Sequence, residues 1–166
     1  MTAENQKKFN ERFSFLGQGM SIQVALTPHF GFECDDGWFD LLWKLCEGIE
    51  KILDKPENAE FKKDFYVAQV KEKFGDLRFY TSYETDEISA LIRIAENESA
   101  VTCEECGQPA VLCASGHWYR TVCPEHAKRN KGMPCYRPVG DKGPKDLLDK
   151  YPISRREEKD GDVQDM

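Results

Sequence analysis

The chain has 166 residues, of which 40% are hydrophobic and 11% aromatic, enough for one modest core with an accessory element. Its formal net charge of −7 comes from residues 1–100, where 12 basic side chains stand against 19 acidic ones, while the remaining residues are balanced at 11 and 11. This acidity excludes attraction of the whole protein to nucleic acid.

No run approaches the roughly 18 apolar residues that would span a bilayer, and the opening MTAENQKKFNERF lacks the apolar middle of a secretory signal. We therefore expect a cytoplasmic protein with no membrane partner. The chain has seven cysteines, an odd number, and four of them lie in one stretch rich in metal-ligand residues. Reduced thiols and a metal are the better interpretation than a set of disulfides.

The first elements are a flexible, polar N-terminus over residues 1–19 and a short β-branched strand, SIQVAL, over residues 21–26. An α+β domain is expected over residues 20–100. Its main helix is GWFDLLWKLCEGIEKILD, residues 37–54, with Asp35 or Asp36 as the N-cap. The helical spacing directs inward Trp38, Leu42, Leu45, Ile49 and Ile52.

A β-hairpin follows in FYVAQVKEKFGDLRFYTSY, with a two-residue turn predicted at Gly75 and Asp76 and with Phe74 opposite Leu77. Alternation then predicts a core face of Ala68, Val70, Phe74, Leu77, Phe79 and Tyr83. An amphipathic helix capped by Thr85 runs from there into the cysteine-rich stretch, directing inward Ile88, Leu91, Ile92 and Ala95.

The stretch VTCEECGQPAVLCASGHWYRTVCPEHA, residues 101–127, contains two pairs of metal-ligand residues. Cys103 and Cys106 form a C-x2-C pair followed by glycine, the form of a zinc knuckle, and Cys123 and His126 form a C-x2-H pair. The residues between the pairs read as a β-hairpin, and Pro124 suits the first position of a helix. A treble-clef or zinc-ribbon-like module over residues 101–131, with one zinc ion, is therefore predicted.

Cys113 and His117 are surplus to a four-ligand site, and we expect a small buried thiol and an exposed imidazole there. With four protein ligands, zinc has no open position for water or substrate, so we expect a structural ion and no enzymatic activity. A treble clef can also carry a nuclease site, but His126 is already a ligand and no acidic constellation follows it. A small enzyme is thus the third alternative.

Several segments together carry a family resemblance: DGWFDLLWKLCEGIE, VKEKFGDLRFY, DEISALIRIAENES, CEECG and TVCPEHA. They resemble a family of small uncharacterised proteins encoded by bacteriophages, prophages and bacteria, over about residues 36–127. The resemblance implies the zinc role for the two ligand pairs and no catalytic residue. It also implies an accessory factor of a phage or prophage, acting in the host cytoplasm.

Two groups of cations are candidate contacts for anions or nucleic acid. One group begins beside the aromatic residues Trp118 and Tyr119 of the predicted zinc hairpin and continues after it. It comprises Arg120, Lys128 and Arg129. The other lies on the outer face of the first hairpin and comprises Lys71, Lys73 and Arg78, which more simply form a solvated face.

We therefore expect an α+β fold of helix, hairpin and helix, then the zinc module, then an extended and partly disordered tail over residues 132–166. The expected function is binding of a protein partner, since the first hundred residues are acidic. The alternative is a nucleic-acid-binding zinc module that uses residues 117–137.

Overall fold

Two helices open the chain in the structure, a computed structural model that describes residues 1–18, 31–128, 135–140 and 142–152. The helices α1 (Ala3–Arg12) and α2 (Ser14–Gln18) correct the prediction of a flexible N-terminus. Phe9 on α1 and Phe13, the extended residue directly after α1, are both buried in the core, where each packs its ring against Trp43. The polar residues between them hide this burial in the sequence.

The first sheet has three strands in the order β1-β2-β3. Their bounds are β1 (Phe32–Glu33), β2 (Val67–Lys73) and β3 (Asp76–Thr81). β1 pairs with β2 in parallel, with Phe32 opposite Val70, and β2 pairs with β3 in antiparallel fashion. The predicted strand over residues 21–26 lies outside the described residues.

The hairpin between β2 and β3 closes one residue earlier than predicted. Lys73 pairs with Asp76, so the two-residue turn is Phe74-Gly75, and both residues have positive φ angles, 56° and 88°. Such a turn matches the twist of the strands, and it leaves the Phe74 ring 66% exposed rather than in the core.

A β-bulge between Val67 and Gln69 shifts the other end of the same hairpin. The bulge directs Val67 inward and leaves Ala68 exposed. The core face therefore differs from the predicted one at Ala68, Phe74 and Tyr83, and agrees with it at Val70, Leu77 and Phe79.

The main helix forms where predicted, as a 3-10 turn over Asp36–Trp38 that continues into α3 (Phe39–Leu53). All five side chains predicted to point inward are buried. Asp35 occupies the N-cap position of the 3-10 turn, as predicted, but its side chain makes no cap hydrogen bond. The Asp36 carboxylate accepts from the backbone N–H of Thr2, at 2.8 Å, and ties α1 to this turn.

A short 3-10 turn over Pro56–Asn58 and the helix α4 (Ala59–Asp64) lead to the hairpin. After the hairpin comes α5 (Asp86–Ser99), which begins as predicted with the Thr85 hydroxyl accepting from the Ile88 N–H at 3.2 Å. α5 packs against α3 and buries Ile88, Ile92 and Ala95, while Leu91 is half-buried. The α+β class is thus confirmed.

A second three-stranded sheet, in the order β5-β4-β6, forms the C-terminal part. Its strands are β4 (Val111–Ser115), β5 (Trp118–Val122) and β6 (Arg137–Pro138), and the short helices α6 (Pro124–Ala127) and α7 (Lys145–Leu148) accompany them. No helix in the described ranges is long and apolar enough to cross a membrane.

Residues 135–140 and 142–152 contain a strand, a helix and buried side chains, where an extended and partly disordered tail is predicted. Cys113 of β4 pairs with Pro138 of β6, and Tyr136 and Tyr151 are buried in the core of the C-terminal part. The Gly, Pro and charge content of this segment predicts an extended tail. That composition does not indicate that Tyr136 and Tyr151 are buried. The end from residue 154 onward, predicted to be disordered, lies outside the described residues.

Replacing Tyr151 with phenylalanine should lower the free energy of unfolding by about 2 kcal/mol, because two buried backbone groups would lose their partner. The hydroxyl accepts from the Val111 N–H at 3.1 Å and donates to the Val122 carbonyl at 2.6 Å. Urea denaturation would measure the change. The same substitution at the exposed Tyr83 is the control, and equal effects would contradict the assigned role.

Candidate metal centre

The two predicted ligand pairs flank the β4-β5 hairpin at its open end, where Val111 of β4 lies opposite Val122 of β5. Cys103 and Cys106 lie on a tight turn that is closed by the Gly107 N–H, which donates to the Cys103 carbonyl at 2.8 Å. Gly107 has a φ of 75°, a conformation that glycine adopts without strain. Cys123 precedes α6, Pro124 takes the first helical position as predicted, and His126 follows within the same helix.

The four side chains converge on one point. Their ligand atoms all lie within 4.8 Å of one another. The Cys106 and Cys123 sulfurs are 3.8 Å apart, and the His126 Nδ1 lies 3.5 Å from the Cys103 sulfur and 3.2 Å from the Cys123 sulfur. The cluster could therefore hold a metal ion through three sulfur atoms and one imidazole nitrogen.

The cluster lies at the edge of the C-terminal core. Cys103 and Cys123 are buried, His126 is half-buried and Cys106 is exposed. Burial raises the pKa of the Cys103 thiol to about 12, so without a metal this thiol keeps its proton at neutral pH. Burial also acts to raise the pKa of Cys123, but hydrogen bonds from the backbone and side chain of His126 outweigh it and lower that pKa.

The start of α3 lies directly against the knuckle. The Gly37 N–H donates to the Glu104 carbonyl at 2.7 Å, and the indole Nε1 of Trp38 donates to the Thr102 carbonyl at 2.9 Å. A Cβ atom at position 37 would overlap the Cys103 carbonyl and lie 2.5 Å from the Cys106 nitrogen. Only glycine therefore allows this approach of the helix turn to the knuckle.

The tip of the first hairpin rests against the second hairpin. The Thr121 hydroxyl donates to the Gly75 carbonyl at 2.8 Å, and a Cβ atom at position 75 would overlap the Leu112 side chain. The sequence motifs predict two units with a boundary at residue 101. Contacts across that boundary join the candidate metal cluster to the α+β part.

Arg120, which the sequence predicts as a contact for anions, is paired within the chain in the structure. Its guanidinium group donates to Glu105 at 2.7 Å and to Glu104 at 2.8 Å, and it also binds Asp35. Only 20% of the side chain is exposed. Three carboxylates thus surround this one cation, and a phosphate would have to displace them.

The other predicted cations that the structure describes make contacts within the chain. Lys128 pairs with Glu125 at 2.9 Å, and Arg129 lies outside the described residues. Lys71 and Lys73 lie over the rings of Tyr80 and Phe74, 5.6 and 5.7 Å from the centroids. Arg78 donates to the Leu77 carbonyl and pairs with Asp76 and Glu96. Lys71 lies opposite Arg78 across the hairpin, so these two cations remain neighbours as well.

Three of the four remaining cysteines are buried, and Cys135 is half-buried. Cys113 is fully buried, as predicted, and burial raises its pKa to about 12. Cys34 and Cys46 are also buried in the core, and burial raises the pKa of each thiol. His117 is exposed at the hairpin turn, as predicted, and His29 lies outside the described residues.

Two acidic residues of the site were missed by the sequence analysis. Glu104 and Glu105 lie between the knuckle cysteines, and Glu104 is buried although it is ionisable. Burial raises the pKa of Glu104, while Arg120 opposes that rise. The signal was present in the string C-E-E-C, but its partner Arg120 lies fifteen or more residues away in the sequence.

No family model, curated protein or solved structure matches this chain. The resemblance to small phage and bacterial proteins therefore stays a prediction.

Proposed function

We propose that Cys103, Cys106, Cys123 and His126 bind one zinc ion. Two sulfurs that each lie about 2.3 Å from a tetrahedral zinc are about 3.8 Å apart, and a sulfur and an imidazole nitrogen are about 3.5 Å apart. The Cys106–Cys123 and Cys103–His126 distances of 3.8 and 3.5 Å support this assignment. Thiolate with imidazole is also a donor set that suits zinc.

The zinc would have a structural role in a non-enzymatic binding protein. Four protein ligands fill a tetrahedral ion, which leaves no position for a reactive water. The guanidinium of Arg120 is held by three carboxylates, so it cannot easily serve a substrate. A nuclease or other small enzyme is thereby disfavoured.

The observation that carries the binding function is the exposure of Trp118. Its side chain is 77% exposed, and the neighbouring Tyr119 is 40% exposed, on the hairpin that the two ligand pairs flank. Exposed tryptophan and tyrosine on a rigid element are typical of protein-binding surfaces. As the resemblance implies, the partner would be a host protein and the protein a phage or prophage accessory factor in the host cytoplasm.

Elemental analysis and affinity capture from a host lysate test the proposal. The purified protein should contain one zinc per chain, and a captured partner should be lost from Trp118→Ser. Tyr83→Ser is the matched control, because Tyr83 is also an exposed aromatic residue but lies in the first hairpin region. A partner retained by Trp118→Ser would contradict the assigned surface.

The nucleic-acid alternative is tested in the same preparation. Phosphate contacts are strongest at low salt, so the absence of DNA or RNA binding there would exclude it. We expect no binding, because Arg120 and Lys128 are already paired within the chain.

A further inference from the structure

The imidazole of His126 presents its two nitrogens to different neighbours. Nδ1 faces the Cys103 and Cys123 sulfurs, so it is the nitrogen that would bind the metal. Nε2 faces the Glu105 carboxylate, whose Oε2 lies 3.7 Å away. At this distance the carboxylate orients the ring by electrostatic attraction to the Nε2–H, without a full hydrogen bond.

Glu105 is itself held in place. Its other oxygen, Oε1, accepts from Arg120 Nη1 at 2.7 Å. Arg120 is fixed from the opposite side by the buried Glu104, which accepts from Nε at 3.0 Å and from Nη2 at 2.8 Å. The planar guanidinium thus spans two carboxylates at once, a geometry that lysine cannot reproduce.

The same arginine reaches back to the loop before α3. Nη2 of Arg120 binds the Asp35 carboxylate, and the Asp35 N–H donates to Glu104 Oε1 at 3.1 Å. Arg120 is therefore anchored on the α+β part of the fold, while Glu105 faces the metal cluster. The chain of contacts runs from Asp35 through Arg120 and Glu105 to His126.

We infer that Glu105 and Arg120 are positioning residues of the metal site, which orient His126 and thereby set how tightly the ion is held. The inference depends on the proposed zinc role of Cys103, Cys106, Cys123 and His126. Carboxylates that orient a metal-bound histidine contribute about 10- to 100-fold to metal affinity in other proteins. The sequence alone does not assign either residue to the metal site. It indicates Arg120 as a contact for anions or nucleic acid, and it indicates no role for Glu105.

The decisive variant is Glu105→Gln, which keeps the size of the side chain and removes its charge. We expect its zinc affinity, measured by competition with a chromophoric chelator, to fall about 10- to 100-fold. The ligand-field bands of the cobalt-substituted protein should also shift. The thermal midpoint in saturating zinc should change little, because Glu105 is only half-buried.

Glu125→Gln is the matched control, since Glu125 lies beside His126 but is exposed and pairs only with Lys128 among the described contacts. It should leave affinity and cobalt bands unchanged. Arg120→Lys should lower the zinc affinity by part of the Glu105→Gln effect. Lysine keeps the positive charge, but it lacks the planar guanidinium that donates to Glu104 and Glu105 at once.

Affinity of Glu105→Gln within about twofold of the wild type would overturn the inference while leaving the zinc proposal intact. A wild-type protein that binds neither zinc nor cobalt would overturn both.

Discussion

Replacing Cys103 with serine should leave the purified protein without zinc and unfold at least its C-terminal module. The buried Cys103 sulfur is one of the four proposed ligands, and a hydroxyl does not replace a thiolate as a zinc ligand. In small zinc modules the binding free energy is folding free energy, of the order of 10 kcal/mol. Elemental analysis would measure the zinc, and near-ultraviolet circular dichroism would report the packing.

Cys113→Ala provides a control for the loss of a buried thiol. Cys113 is as fully buried as Cys103 and lies in the same core, but its sulfur donates only a weak bond to the Val111 carbonyl at 3.4 Å. This variant should retain one zinc per chain and lose no more than about 1 to 2 kcal/mol. Equal loss of zinc in the two variants would mean that the ligand set is wrongly assigned.

Replacing Gly37 with alanine should destabilise the protein by about 3 kcal/mol and weaken its hold on zinc. The added methyl group would meet three backbone atoms of the knuckle, including the Glu104 carbonyl and the Cys106 nitrogen, each 2.5 Å from its position. These are backbone atoms of a tight turn, which cannot move aside as the end of a flexible side chain can. Urea denaturation and chelator competition would measure the two effects.

Gly48→Ala in the middle of α3 is the comparison for Gly37→Ala. A Cβ atom there would come within 2.8 Å of one methyl group of Leu91, a half-buried side chain that can change rotamer. Alanine also favours the helix by roughly 0.5 to 1 kcal/mol. We expect Gly48→Ala to be nearly neutral, and a loss as large as that of Gly37→Ala would point to the helix rather than the knuckle contact.

The periodic elements and the ligand pairs could be predicted because their information is local. α3 and α5 repeat apolar residues at helical spacing, and Thr85 caps as its position predicts. The pairs Cys103 with Cys106 and Cys123 with His126 are each three residues apart, so a single turn brings each pair together. The β4-β5 hairpin then brings the two pairs next to each other.

The features that could not be predicted depend on contacts between distant segments. The Asp35 side chain makes no cap hydrogen bond, because its carboxylate binds Arg120, 85 residues later in the chain. The docking of α1 depends on how Phe9 meets Trp43, which the polar composition of that segment does not indicate. The hairpin turn lies one residue before the predicted position. Gly75 suits the first central position of a type II′ turn, as predicted, and also the second central position of a type I′ turn, as observed.

The contacts of Gly37 and Trp38 also constrain the order in which the chain can fold during synthesis. Both donate to carbonyls of residues 102–104, more than sixty residues downstream. When synthesis has reached residue 100, the chain contains all residues of α3, β2, β3 and α5. It still lacks the carbonyl groups that accept from the Gly37 N–H and the Trp38 indole N–H. The ribosome must release the knuckle before the first half of the protein can complete its hydrogen bonds.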